Sequence, residues 1–66
     1  MSKSQVAELT LDQLHQMSSE DMVQAILGAQ LPLPGRYFLQ TLKSCQPKTL
    51  AEIVLTARRV CRRQGY

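Results

Sequence analysis

The sequence predicts an all-α fold, a compact domain of three to four helices. Apolar residues recur at helical spacing, most clearly between Leu50 and Cys61. A threonine stands three positions ahead of Gln or Glu at two places, the pattern of a capped helix start. No stretch alternates apolar and polar residues, and no Asn-Gly or Asp-Gly pair offers a hairpin turn. With 66 residues, the chain is read as a single domain spanning residues 1–66. A domain of this size buries only roughly 60% of its unfolded surface, so its stability margin is narrow. A hydrophobic content of 44% with 20% charged residues places it among globular chains and outside the disordered class.

Residues 1–8 read as a flexible N-terminal arm, with Val6 and Leu9 leading into the first helix. Thr10-Leu11-Asp12-Gln13 is a capping box that starts that helix; Leu11, Leu14 and Met17 form its apolar edge. Ser18 caps the second helix, whose first turn holds Glu20 and Asp21, where the helix dipole favours negative charge. Met22, Val23, Ala25, Ile26, Leu27 and Ala29 cover a broad arc, which marks this as the most buried helix. Leu31-Pro32-Leu33-Pro34 is excluded from a helix interior, because each proline lacks an N–H and biases its predecessor toward extended geometry. It reads as a stiff connector packed on the core through Leu31 and Leu33.

The third helix is expected from Gly35 to Ser44, with Phe38, Leu39, Leu42 and Cys45 on one side. Arg36, Gln40, Lys43 and Ser44 fall on the other. Gln46-Pro47-Lys48 reads as a break. Thr49-Leu50-Ala51-Glu52 is the second capping box, and it opens the fourth helix. Leu50, Ile53, Val54, Ala57, Val60 and Cys61 then form an inward stripe, so Leu50→Asp or Ile53→Asp should unfold the domain. Gly65 is the expected stop.

Charge is split along the chain. Residues 1–33 set Lys3 against Glu8, Asp12, Glu20 and Asp21, a net −3; residues 34–66 set seven cations against Glu52, a net +6. Such a split points to an anionic partner. Arg58, Arg59, Arg62 and Arg63 share the polar face of the fourth helix, and guanidinium groups fork onto phosphate or carboxylate. Arg36, Gln40 and Lys43 on the third helix are residue types that read base edges, which would suit a helix-turn-helix-like recognition helix; Lys48 adds a further charge. Leu55 falls among the arginines rather than on the stripe. It is either a contact to a partner or a residue tucked under the N-terminal arm near Val6 and Leu9.

The leading expectation is a small nucleic-acid-binding or transcription-regulatory protein, acting as a homodimer. The alternative is a protein–protein interaction module for an acidic protein partner. Enzyme chemistry is not expected. The N-terminal carboxylates are explained as helix-start residues, no glycine-rich loop cradles a phosphate, and Cys45 and Cys61 sit on apolar faces that quieten a thiol. No cofactor is implied, and no metal either, since His15 is the single histidine with no ligand at zinc spacing. No segment has the ~20 apolar residues of a membrane helix, and no apolar run follows Met1 as in a signal peptide. The expected location is the cytoplasm, with both thiols reduced.

Overall fold

All four expected helices are present in a computed structural model of the protein, and a fifth precedes them. The structure describes residues 1–30 and 35–66, with side chains from residue 40 onward in the second stretch. The helices are α1 (Lys3–Ala7), α2 (Leu11–Gln16), α3 (Ser19–Gly28), α4 (Gly35–Ser44) and α5 (Pro47–Arg63), and no strand occurs among the described residues. The fold is all-α. The Cα radius of gyration, 10.8 Å, matches the ~11 Å expected of a fully collapsed chain of this length.

The N-terminal arm is the first correction. Residues 1–8 hold α1, opened by a capping box of the kind recognised further along the chain: Ser2 Oγ accepts from the Gln5 N–H, and Gln5 Oε1 accepts from the Ser2 N–H. Five residues are too few for a helix to persist on propensity alone. Tertiary packing holds α1, with Val6 fully buried, Ala7 and Leu9 almost so, and the helix laid against α5 and α3. The close approach continues at Gly28, where a Cβ would overlap the backbone carbonyl of Met1.

The next two helix starts form as expected. Thr10 and Gln13 exchange both capping bonds, at 2.9 and 3.1 Å. Ser18 Oγ accepts from the Asp21 N–H at 3.1 Å. Leu14 points inward, but Leu11 stays 54% exposed, and Met17 lies just past the end of α2, half-buried. α3 buries Met22, Ala25 and Ile26 and leaves Val23 and Leu27 half-covered. Its C-terminal turn places Gln30 at φ 52°, left-handed backbone that costs a non-glycine residue about 1–2 kcal/mol. Gln30→Gly is expected to stabilise the domain by roughly 0.5–1 kcal/mol, read as a higher thermal midpoint. An unchanged or lower midpoint would show that the Gln30 side chain offsets the strain.

The expected packing of Leu31 and Leu33, and with it the helix-turn-helix-like connector, lies outside the described residues. α4 has the predicted bounds, and Leu42 is buried. The start of α5 is the second correction. Pro47 does not break the chain but occupies the first helical turn, where its missing N–H costs nothing and its fixed φ suits the helix. Gln46 is the N-cap and makes no side-chain cap bond, so Thr49 lies inside the helix rather than capping it. Leu50, Val54, Ala57 and Cys61 are buried as expected; Ile53 and Val60 are half-exposed.

Among the described residues the core is one cluster drawn from every helix, and Ile26, Leu42, Leu50, Val6, Val54 and Cys61 are its largest fully enclosed side chains. Ala25 and Ala57 have no exposed surface, and small side chains at a helix crossing let backbones approach. α5 ends in a glycine-capped turn: Tyr66 N–H donates to Cys61 O and Gly65 N–H to Arg62 O, each at 3.1 Å. Gly65 sits at φ 95°, the left-handed geometry this ending requires.

Candidate anion-binding face

Helical geometry turns Arg59, Arg62 and Arg63 away from the buried stripe of α5 and puts Arg58 at its border, half-buried. The structure divides them into two pairs. Arg58 and Arg62, one turn apart, reach over the C-terminal end of α1. Arg58 Nη1 donates to Leu9 O at 3.0 Å, and Arg62 Nε donates to Ala7 O at 2.8 Å. The last carbonyls of a helix lack intrahelical partners and carry partial negative charge, so two cations there are doubly favourable. Arg59 and Arg63 are exposed, and among the described residues neither has a hydrogen-bond or ion-pair partner.

A backbone carbonyl is neutral, so the bonds to Ala7 and Leu9 orient two guanidiniums without cancelling their charge. Each uses one of its five donors and keeps the rest. Together with Arg59 and Leu55, Arg58 and Arg62 line a concavity of about 200 Å³. Leu55 is half-buried and packs against the core cluster, so it is partly tucked in and partly a wall of this notch.

The remaining basic residues lie elsewhere. Lys48 is exposed in the first turn of α5, 15 residues before Arg63, which is about 22 Å along the helix axis. Lys43 is exposed on α4 and borders a separate groove of about 540 Å³, whose walls include Glu20, Val23 and Leu27 of α3 and Leu50 of α5. Gln40 is exposed on α4, and the Arg36 side chain lies outside the described residues. The structure therefore joins three of the eight expected contact residues in one notch, with Arg63 next to it.

Sequence reasoning missed the backbone half of this arrangement, the carbonyls of Ala7 and Leu9. A signal was present: Ser2-Lys3-Ser4-Gln5 is a capping box, and a helix started there must end near residue 8 and needs donors for its carbonyls. The termini also meet, with Lys3 Nζ 5.5 Å from the centre of the Tyr66 ring.

Among the described residues, no three His, Cys, Asp or Glu side chains gather as metal ligands, and no helix is long and apolar enough to cross a membrane. His15 is exposed on α2. Cys61 is buried; Cys45 is half-buried, with its thiol directed at Thr41 O, 3.0 Å away, and both are free. No protein-family model, curated protein or solved structure matches the chain.

Proposed function

We propose that this chain is a small nucleic-acid-binding protein of regulatory type that engages phosphates through the arginine flank of α5. The observation that supports this reading best is the tethering of Arg58 and Arg62 to neutral carbonyls beside Arg59 and Arg63, which have no partner among the described residues. Four charges then stand along little more than one helical turn, two of them already oriented, so less side-chain freedom is lost on binding. The +6 charge of residues 34–66 adds long-range attraction. A homodimer fits the same reading, because two copies would present two such flanks to one duplex.

Leu55 favours a second reading, in which an acidic protein segment docks on the arginines and places an apolar side chain against that residue. The expected results separate the two. Four phosphate contacts on duplex DNA give a log–log salt slope of about −3.6, a loss of roughly a hundredfold in affinity between about 50 and about 200 mM salt. Arg59→Gln with Arg63→Gln should halve that slope to about −1.8 and weaken binding at low salt, as measured by fluorescence anisotropy on labelled random-sequence duplex and single strand. Affinity that ignores both the substitutions and the salt rejects the nucleic-acid reading. Absence of binding in all these probes leaves the acidic-protein reading in its place.

A further inference from the structure

We infer that the notch between Leu55, Arg58, Arg59 and Arg62 is a site for one terminal phosphate group of a nucleic-acid strand, a 5′-phosphomonoester. This inference rests on the polyanion reading and narrows it. The concavity, about 200 Å³, is smaller than the ~300–1,000 Å³ of sites that enclose a whole small ligand. It fits a single group at the end of a larger molecule.

Its donor supply sets the chemistry. Arg58 and Arg62 are fixed by Leu9 O and Ala7 O at 3.0 and 2.8 Å, and their remaining N–H groups are available to the notch. Arg59 brings a full set of donors with no partner among the described residues. Three arginines around one notch exceed what a phosphodiester needs, since a diester has one charge and two free oxygens. A phosphomonoester carries about −1.5 to −2 charge and three strong acceptor oxygens. That count matches three cationic forks, each able to form short charge-assisted bonds. Leu55 closes one side with apolar surface, which lowers the local dielectric and strengthens those bonds. The two tethers hold the cations together against their mutual repulsion before any ligand arrives.

The test compares two single strands of identical sequence, each labelled at the 3′ end, one with a 5′-phosphate and one with a 5′-hydroxyl. Fluorescence anisotropy on the full chain at moderate salt is expected to show at least tenfold tighter binding of the phosphorylated strand. Arg59→Gln should bring the two affinities together while Arg63 and Lys48 sustain residual binding. Arg59 is chosen because it makes no hydrogen bond or ion pair among the described residues, so the variant should keep the wild-type melting curve. Arg59→Lys, which keeps the charge but loses the fork, should recover only part of the preference. Equal, arginine-dependent affinity for both strands overturns the phosphomonoester inference and leaves the polyanion reading intact. No binding to either strand overturns the inference, and if the labelled duplex is not bound either, the polyanion reading falls with it. Tighter binding of a phosphotyrosine peptide than of the phosphorylated strand overturns the inference in favour of a protein ligand.

Discussion

Leu50→Asp is expected to leave the chain without a cooperative thermal transition. Leu50 is 1% exposed and lies in the first turns of α5, in the cluster that also holds Ile26, Leu42 and Val54. Truncating a leucine in such a place costs about 2–5 kcal/mol through lost burial and the cavity left behind. The carboxylate adds the cost of burying a charge, since no described side chain in the core is polar. At about 0.05–0.15 kcal/mol per residue, the whole domain is held by only ~3–10 kcal/mol. The two losses together consume most or all of it. Ile53→Asp, equivalent by periodicity, is expected to be milder, because a half-exposed position lets the new carboxylate keep part of its hydration. Circular dichroism melts of the two variants check the ranking. A wild-type melt for Leu50→Asp, or a larger loss for Ile53→Asp, would show that the inward stripe of α5 is misplaced.

The stripe was legible because it depends on period alone. Leu50, Val54, Ala57 and Cys61 recur every three or four residues, and any helix through them must bury one flank. Thr10 and Ser18 were legible for a similar reason: a cap bond spans three residues and needs no tertiary partner. What the sequence hid is tertiary. α1 is short enough that its existence depends on contacts with α5, more than 40 residues away, so its capping box alone did not separate a helix from an arm. Ile53 and Val60 follow the three-or-four spacing but fall on the margin of the arc centred on Leu50, Val54, Ala57 and Cys61, and how far burial extends to that margin depends on the neighbouring helices. Pro47 carries two opposite meanings, break and helix start, and the neighbouring Thr49 box drew the boundary three residues too late.

The arginine flank shows the same division. Composition and spacing located four guanidiniums on one side of α5, but could not say which of them the fold itself would use. Arg58 and Arg62 turn out to join the first and last helices, and Lys3 against Tyr66 joins the same two ends. One flank thus serves structure and exposes charge at once. That dual use bears on any substitution meant to probe binding, because removing all four arginines together would confuse loss of contact with loss of fold.

Arg58→Ala with Arg62→Ala is therefore expected to destabilise the domain by about 2–4 kcal/mol, whereas Arg59→Ala with Arg63→Ala should stay within about ±0.5 kcal/mol. Hydrogen bonds to charged groups contribute roughly 1.5–3 kcal/mol each; partial exposure of both tethers places them toward the lower end. The alanines also strip the aliphatic stems that cover apolar surface beside Leu55. Arg59 and Arg63 make no such bonds among the described residues, and surface changes away from specific contacts are nearly neutral. For a domain of this size, the first pair should lower the thermal midpoint by roughly 10–25 °C. Hydrogen exchange locates the damage. The N–H groups of Val6, Glu8 and Leu9, which bond within α1 and its turn, should exchange faster, while those of Met22 and Ala29 in α3 hold their protection. Arg62→Lys should recover little, because an ammonium cannot reproduce the bond made by Nε in the plane of a guanidinium. If the Arg58 and Arg62 pair melts like the wild type and loses only phosphate binding, the tethers to Ala7 and Leu9 have no structural weight. The four arginines then act as one interchangeable cluster, and the oriented notch has no basis.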